Sequence, residues 1–246
     1  LALTANASTF IRLFPVGRAL ADCPKILRRW EGLDTLCTLL LNGQEIGTAD
    51  NMHRIWEYDV TSAICVGDNR LEIRIASPTR FIREEDQKLH VGGSYHAMRG
   101  FPHLRKAHCM FGWDWGPRLP DAGIWRNISL IGVNTARITD VYLRQRHEDG
   151  EVSVTAHVSC EGDADCRVVV TAPDGSSCNG KAGEAIAIVR PQLWWPNGLG
   201  EQPLYTVRVE ALEAGRLVGF CAKRIGLRTM TVLREKDEWG ESFAHW

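Results

Sequence analysis

The sequence predicts an all-β protein built from two β-sandwich domains. Short runs of strand-forming residues, separated by Gly, Pro, Asn and Asp, make up most of its 246 residues. Hairpin-type dipeptides separate some of these runs, and only one segment has a helical pattern. The length fits one large domain or two of ordinary size, and the grouping of the runs favours two.

Six predicted strands form the first domain, for which we expect the bounds 1–133. They cover residues 10–14, 25–30, 35–42, 55–60, 69–76 and 124–133. Asn42-Gly43 predicts a two-residue hairpin turn, because both central positions of a type I′ turn need positive φ. Residues 71–75 alternate between apolar and charged side chains, which is typical of a half-buried strand.

A second set of six predicted strands forms another domain, with expected bounds 134–228. These strands cover residues 138–147, 151–160, 166–172, 184–189, 203–212 and 216–227. Asp149-Gly150 supplies a hairpin signal between the first two of them. Strands at such short, regular intervals are typical of an immunoglobulin-like β-sandwich.

Residues 77–123 interrupt the strand pattern of the first domain. We expect a helix over 80–90 behind Pro78, with Glu84 and Lys88 spaced to interact on one face. The remainder reads as a long loop. Loops of this length inside compact domains are uncommon and usually functional.

Charge and hydropathy exclude two classes of partner. The chain has 29 basic and 30 acidic residues, so it lacks the positive surface that nucleic-acid binding requires. No apolar run approaches the roughly 20 residues that cross a bilayer. Residues 1–20 lack the features of a signal peptide. We therefore expect no nucleic-acid or membrane partner and a cytoplasmic, bacterial location.

The cysteines and histidines predict neither disulfides nor a metal site. The eight cysteines include no CxxC pair and no zinc-finger spacing, so we interpret them as reduced thiols. Four histidines between residues 90 and 108 form no helical ligand pair, which argues against bound metal. We expect no cofactor.

The most informative run is RKAHCMFGWDWGPRLPDAGIWR, residues 105–126. Trp113 and Trp115 flank Asp114, and Gly112 and Gly116 bracket the three. An aromatic ring can cover the apolar face of a sugar while a carboxylate accepts hydrogen bonds from its hydroxyls. The run could equally be a tryptophan-rich plug in which Asp114 caps a turn or pairs with an arginine of the loop.

Several motifs resemble glycoside hydrolase family 2. GLDTLCTLLLNG and the following NMHR segment, within residues 32–61, are similar to the first domain of that family, as is GDNRLEIRIASP at 67–78. The FGWDWGPRLP run resembles the β-mannosidases of the family. LWWPNGLGEQPLYTVRVEAL at 193–212 and RIGLRTM at 224–230 resemble its second domain.

This resemblance implies an order of domains. Family members begin with a jelly-roll, galactose-binding-like domain, continue with an immunoglobulin-like sandwich and end in a catalytic (β/α)₈ barrel. Their two catalytic glutamates, about 5–5.5 Å apart, lie on the barrel. On this comparison the chain is an N-terminal fragment that lacks its first strands, and 229–246 leads into an absent barrel. No catalytic residue is therefore assigned to this chain, which we expect to be inactive alone.

The resemblance also implies which residues touch substrate. In β-mannosidases the tryptophan–aspartate step of this loop reaches the pocket for the terminal mannose. Trp113 and Asp114 take that role here, while Arg105, Trp115 and Arg118 hold the loop. The implied activity is exo-acting, retaining hydrolysis of terminal non-reducing β-D-mannose residues, with a β-mannoside substrate and the chain's own barrel as partners.

Three alternatives follow from the same residues. The full-length protein could have another family 2 activity, such as exo-β-glucosaminidase or β-galactosidase. The chain could be a stand-alone carbohydrate-binding module. It could also be a structural protein, in which case the Asp114 carboxylate is expected to be buried and paired.

The remaining tryptophans are expected to be structural. Trp30, Trp56 and Trp125 lie in or beside predicted strands, so we interpret them as core or inter-sheet anchors. Trp194 and Trp195 precede a turn and are expected to pack the second domain against its neighbours.

Overall fold

The computed structural model describes residues 4–245, which divide into two compact units. The first unit extends to Asn134 and the second begins at Thr135. Each unit has its own β-sheets and its own buried apolar cluster. The predicted all-β architecture is therefore confirmed.

The first unit contains nine strands, two α-helices and two short 3₁₀ segments within its described residues. The strands are β1 (Ser8–Val16), β2 (Lys25–Trp30), β3 (Leu33–Asp34), β4 (Cys37–Leu41), β5 (Gln44–Ala49), β6 (Trp56–Asp59), β7 (Gly67–Ile75), β8 (Gly123–Ile124) and β9 (Ile128–Val133). The helices are α1 (Arg18–Ala21) and α2 (Pro78–Lys88), and the 3₁₀ segments are Phe101–His103 and His108–Phe111.

Two sheets form the sandwich of the first unit. One has the order β1-β7-β4-β5 and the other β6-β2-β9, and the short strands β3 and β8 pair separately. Trp30 of β2 packs with Leu39 of β4 and with Leu71 and Ile73 of β7, so the core lies between the sheets. Apolar alternation on β7 places its inward side chains in this core.

Local sequence signals explain the turn and the helix that the sequence predicted. Asn42 and Gly43 have φ of 52° and 86°, as the hairpin between β4 and β5 requires. Helix α2 begins at Pro78 behind Ser77, whose hydroxyl oxygen accepts a hydrogen bond from the Arg80 backbone N–H. The sequence predicted this helix over residues 80–90, so both predicted ends lie two residues C-terminal to the observed ones.

The second unit contains nine strands within its described residues. They are β10 (Arg137–Glu148), β11 (Glu151–Glu161), β12 (Asp165–Thr171), β13 (Ser177–Lys181), β14 (Ala185–Ile188), β15 (Tyr205–Glu213), β16 (Arg216–Ile225), β17 (Val232–Asp237) and β18 (Gly240–His245).

Seven of these strands form two sheets around one core. The orders are β10-β11-β14 and β13-β12-β15-β16. Val154 of β11, Val168 of β12 and Val209 of β15 are fully buried between them. The Tyr205 hydroxyl, at the edge of this core, accepts a hydrogen bond from the Gln192 backbone N–H at 2.9 Å. This is the immunoglobulin-like sandwich that the strand spacing predicted.

Strands β17 and β18 form a separate hairpin. The sequence predicted a lead-in segment at 229–246, and the structure shows that most of it folds back on itself. Its described side chains are exposed, including Trp239 at 89% and Phe243 at 69%. Trp246 lies outside the described residues.

The tryptophans only partly follow the prediction that they anchor cores. Trp30 is fully buried and Trp56 packs against the same cluster. Trp125 is 46% exposed, so its assignment as a core anchor was wrong. The Trp125 ring lies beside Gly32, and the Arg126 guanidinium lies 4.1 Å from the centre of that ring. These contacts hold the ring at the surface.

Candidate functional site

A buried ion pair lies at the start of the tryptophan-rich loop. The ammonium of Lys106, whose side chain is completely buried, donates a hydrogen bond to the carboxylate of Asp34. The hydroxyl of Thr35 donates to the same carboxylate. Removing one partner of such a pair would leave an uncompensated charge in the interior. The pair therefore ties the loop to the end of β3.

Backbone hydrogen bonds continue this attachment. The Arg105 carbonyl accepts a hydrogen bond from the Met52 backbone N–H at 3.0 Å, and Arg105 also forms a parallel bridge with Asn51. The Arg105 side chain itself is exposed. Arg105 thus holds the loop through its backbone, while its sequence neighbour Lys106 makes the buried contact.

An apolar cluster fixes the middle of the loop against helix α2. Phe111 is fully buried with Ile82 of that helix and with Leu104. The Phe111 carbonyl accepts a hydrogen bond from Met98, and the Met110 carbonyl accepts one from Leu119, both at 2.9 Å. The segment that follows therefore projects from a packed base.

Residues 113–116 form a tight turn at the tip of the loop. Trp113 donates its backbone N–H to the Gly116 carbonyl at 3.1 Å, and Gly116 donates to the Trp113 carbonyl at 3.4 Å. Gly112, just before the turn, has φ of 102°, a conformation that favours glycine. This geometry presents Asp114 at the turn.

The Asp114 carboxylate is exposed rather than buried. Its Oδ1 accepts a hydrogen bond from the Trp115 backbone N–H at 2.9 Å. Among the described residues, no basic side chain forms a salt bridge with this carboxylate. Arg105 and Arg118, the two arginines nearest to it in the sequence, do not pair with it either. Most of its hydrogen-bonding capacity is therefore open to a ligand. The expectation of a buried, paired carboxylate, which belonged to the structural alternative, is wrong.

Aromatic side chains surround this turn. Trp113 is 51% exposed and Trp115 is 85% exposed. The His96 ring lies 6.2 Å from the Trp113 ring, measured between centroids, and 3.8 Å from the Tyr95 ring. Trp115 makes little contact with the loop in this arrangement, whereas Trp113 has His96 as its neighbour.

Arg118 connects the two segments that carry these aromatic rings. Its Nε and Nη2 both donate to the His96 carbonyl, at 3.1 and 2.8 Å. Its side chain also lies against Gly112. Sequence reasoning singled out Arg118 but missed Tyr95 and His96, because nothing in their spacing indicates that the chain folds back onto Trp113.

An electrostatic network holds the segment that carries Tyr95 and His96. Asp86, at the end of α2, is buried and contacts His90 Nδ1 at 2.8 Å and Arg99 Nε at 2.5 Å. The hydrogen bond with His90, followed by that with Arg99, lowers the pKa of the Asp86 carboxyl. The carboxylate thus links the helix to both sides of this segment.

The second unit has an aromatic pocket of about 450 Å³ near the WWPNG segment. Trp194 packs over Gly226, with the Arg228 guanidinium 5.4 Å from its ring. Trp195 is 47% exposed. Trp194 is thus structural within its own unit. In the described part of the chain, no group of three metal-ligating side chains could hold a metal ion.

Family models match both units. The model described as "Glycosyl hydrolase 2 galactose-binding domain-like" matches residues 4–126, and "Glycosyl hydrolases family 2" matches residues 136–228. The chain belongs to glycoside hydrolase family 2. Its first unit is therefore the galactose-binding-like domain and its second the sandwich domain of that family.

β-Mannosidases are among the curated proteins to which this chain is similar. The chain is 33% identical to "Beta-mannosidase B" of Aspergillus oryzae over 92% of its own length and 29% of that protein's. It is 34% identical to "Beta-mannosidase B" of Aspergillus clavatus, over 89% and 28%. The chain thus spans less than a third of the length of these relatives.

Solved structures give the same fold. The β-D-mannosidase of Dictyoglomus thermophilum matches with a TM-score of 0.84 and 30% identity, over 99% of this chain and 32% of the other. The β-glucuronidase of Ruminococcus gnavus matches with a TM-score of 0.68 and 15% identity, over 93% and 37%. The second likeness concerns the fold alone.

Among the described residues, no helix is long and apolar enough to cross a membrane.

Proposed function

We propose that this chain belongs to an exo-acting, retaining β-mannosidase that removes terminal non-reducing β-D-mannose residues. It supplies one loop of the substrate pocket, and the catalytic carboxylates come from the rest of the polypeptide. Two observations support the proposal. The chain is 30–34% identical to three β-mannosidases, and an exposed carboxylate projects beside Trp113 from a loop with a buried base.

Asp114 would bind the hydroxyls of the terminal sugar. Its exposed oxygens can accept hydrogen bonds, and a hydrogen bond to a charged group contributes about 1.5–3 kcal/mol. Trp113 offers a half-exposed ring to the apolar face of the sugar. Contacts with non-reacting hydroxyls accelerate the reaction when they orient the sugar and strengthen in the transition state.

Arg118 would act on the loop rather than on the sugar. Its two hydrogen bonds to the His96 carbonyl hold the segment that carries Tyr95 and His96 in place beside Trp113. Arg105 would hold the loop base through its backbone. Trp115, the most exposed of the loop tryptophans, is available to contact another part of the polypeptide.

A panel of aryl β-glycosides tests the proposed activity. The purified full-length enzyme is assayed with the mannoside, glucosaminide, galactoside and glucuronide, and the isolated 246-residue chain is assayed in parallel. We expect kcat/KM for the mannoside to exceed the others by at least about 100-fold, or about 2.7 kcal/mol of transition-state discrimination. A higher value for another sugar would refute the proposal.

The exposed aromatic surface favours a second candidate function, sugar binding by the isolated chain. Tyr95 and Trp115 are each 85% exposed, and an exposed aromatic ring can cover the apolar face of a sugar. Titration of the chain with mannose and manno-oligosaccharides separates the two functions. Saturable binding with a Kd below about 1 mM, which corresponds to a binding free energy of about −4 kcal/mol, would favour the binding module.

We also propose a reducing, cytoplasmic location. All eight cysteines are free thiols, and thiols persist where glutathione and thioredoxin keep them reduced. Fractionation of cells that produce the protein tests the location.

A further inference from the structure

Tyr95, His96 and Trp113 form a continuous strip of rings beside the tip of the loop. The Tyr95 and His96 rings lie 3.8 Å apart between centroids, and the His96 and Trp113 rings lie 6.2 Å apart. His96, in the middle, is partly buried, whereas Tyr95, at the outer end, is 85% exposed. The strip therefore places an open tyrosine ring next to the turn that presents Asp114.

The outer end of this strip is anchored to the body of the loop. The His96 carbonyl accepts two hydrogen bonds from Arg118, and the Met98 backbone N–H donates to the Phe111 carbonyl at 2.9 Å. Ala97, between these two attachments, is buried in the apolar cluster under the loop. Single exposed aromatic residues are common on protein surfaces. A ring on an anchored segment, in contact with a second ring, is instead ordered before a ligand arrives, which lowers the cost of binding.

Polar groups with open hydrogen-bonding capacity accompany the exposed tyrosine ring. Among the described residues, His96 makes its hydrogen bonds through its backbone N–H and carbonyl, and neither ring nitrogen has a partner. A neutral imidazole offers one donor and one acceptor. Tyr95 and His96 thus combine an aromatic face with hydrogen-bonding groups, as Trp113 and Asp114 do. The two pairs provide two adjacent surfaces of the same chemistry, each suited to one sugar ring.

We propose that Tyr95 and His96 bind the first sugar of the leaving group and so determine which glycosides the enzyme prefers. An exo-acting enzyme holds a single sugar on the non-reducing side of the bond that it cleaves, so a second sugar beside it lies on the leaving side. This inference rests on the proposed function, because it takes Asp114 to bind the terminal sugar. The Tyr95 ring covers the apolar face of the second sugar, and a His96 ring nitrogen bonds one of its hydroxyls.

Two substrates that differ only in the leaving group test this subsite in the full-length enzyme. They are a β-linked mannobiose, which carries a leaving sugar, and β-mannosyl fluoride, whose leaving group is one atom. Tyr95→Ala is expected to lower the ratio of the two kcat/KM values, biose over fluoride, by at least about 10-fold. Tyr95→Phe keeps the ring and should keep the ratio within about 2-fold of the parent value. An unchanged ratio for Tyr95→Ala would overturn the proposal.

The variant His96→Phe tests the ring nitrogens separately. It retains an aromatic ring between Tyr95 and Trp113 but removes both hydrogen-bonding atoms, so we expect the ratio to fall by about 3- to 10-fold. Tyr142→Ala is the matched control, because it removes an exposed tyrosine of the second unit whose ring stacks on His157. This control should keep the ratio of the parent enzyme. A ratio that His96→Phe leaves unchanged would overturn the assignment of His96.

Thermal unfolding distinguishes sugar binding from packing of the Tyr95 ring against the rest of the polypeptide. We expect Tyr95→Ala to change the Tm of the 246-residue chain and of the full-length protein by less than about 1 °C, because an exposed ring contributes little to stability. A Tm that falls by about 4 °C or more in the full-length protein alone would show that the ring is buried there, and the proposal would be wrong.

Failure of the proposed function gives a different result from failure of this inference. Asp114→Ala should lower kcat/KM for both substrates and leave their ratio unchanged, because both carry the same terminal sugar. If the panel of glycosides shows a preference for another sugar, the proposed function is wrong. The biose and the fluoride of that sugar then test Tyr95 and His96 by the same ratio.

Discussion

Gly112 and Arg118 are in such close contact that a side chain at position 112 has no room. A Cβ at Gly112 would lie 2.5 Å from Cγ of Arg118. The backbone at Gly112 also has φ of 102°, which side-chain-bearing residues rarely adopt. The position of Arg118 therefore depends on a glycine at position 112. So do the two hydrogen bonds that Arg118 donates to the His96 carbonyl.

Gly112→Ala is expected to destabilise the first unit by about 1–3 kcal/mol, through backbone strain and displacement of Arg118. The measurement is urea unfolding of the purified chain. Gly116→Ala is the matched control, since its Cβ would meet no atom closer than 3.7 Å and its φ is not positive. Equal stability of the two variants would contradict the prediction.

Asp114→Ala is expected to lower kcat/KM of the full-length enzyme on an aryl β-mannoside by several hundred-fold. That loss corresponds to about 4 kcal/mol of transition-state stabilisation. Stability should not change, because the carboxylate is exposed. Asp121→Ala removes another exposed carboxylate from the same loop and should retain activity. An unchanged kcat/KM for Asp114→Ala would remove this residue from the pocket.

Lys106→Met is expected to destabilise the first unit by about 3–5 kcal/mol, because it leaves the Asp34 carboxylate buried without its counter-charge. The double variant Asp34→Leu with Lys106→Met should lose less, since it removes both charges. Denaturant unfolding of the two variants measures the difference. A double variant less stable than Lys106→Met would show that the pair is not coupled in this way.

The Asp86 network predicts a pH dependence of stability. Its carboxyl has a pKa lowered by His90 and Arg99, so its ionised form is favoured in the folded state. The stabilisation is present above the unfolded-state pKa of about 3.9 and is lost as the pH falls through the lower folded-state value. Asp86→Asn should therefore be less stable than the parent protein at pH 7. This difference in stability should become smaller below about pH 4. Thermal unfolding at stepped pH, with Asp121→Asn as an exposed control, measures the difference.

Burial divides the thiols by reactivity. Burial and, to a lesser extent, the Asp34 charge raise the pKa of the Cys37 thiol to about 12, so it holds almost no thiolate at pH 8. Cys65 and Cys109 are exposed. Iodoacetamide at pH 8 should label these two and spare Cys37 until the chain is unfolded. Mass spectrometry of the digested protein gives the order, and early labelling of Cys37 would contradict it.

The sequence predicted those parts of the fold that local rules determine. Alternation identified β7, and the Asn42-Gly43 turn has the positive φ values that its residue types indicate. It missed β5 and β13, whose sequences QEIGTA and SCNGK carry few apolar side chains. Such strands form because a neighbouring strand supplies hydrogen-bonding partners. The residue pattern of a single strand does not indicate this pairing.

The candidate site was predictable only in part, for a similar reason. The residues at the tip of the loop stand out by composition, whereas Lys106 and Asp34 meet across 72 positions of sequence. Tyr95 and His96 approach Trp113 because Met98 donates a backbone hydrogen bond to Phe111 and Arg118 donates two to the His96 carbonyl. Contacts between distant segments depend on the assembled fold, which the spacing of single residues does not encode.

The buried pair between Asp34 and Lys106 sets a condition on any attempt to transplant the loop. A chimera that receives residues 105–126 on a host without a carboxylate at the place of Asp34 would carry an unneutralised ammonium into its interior. The graft would then misplace the turn that presents Asp114, although every residue of the turn had been copied. The smallest transferable element is therefore the loop together with β3, two stretches that are far apart in the gene but form one structural part.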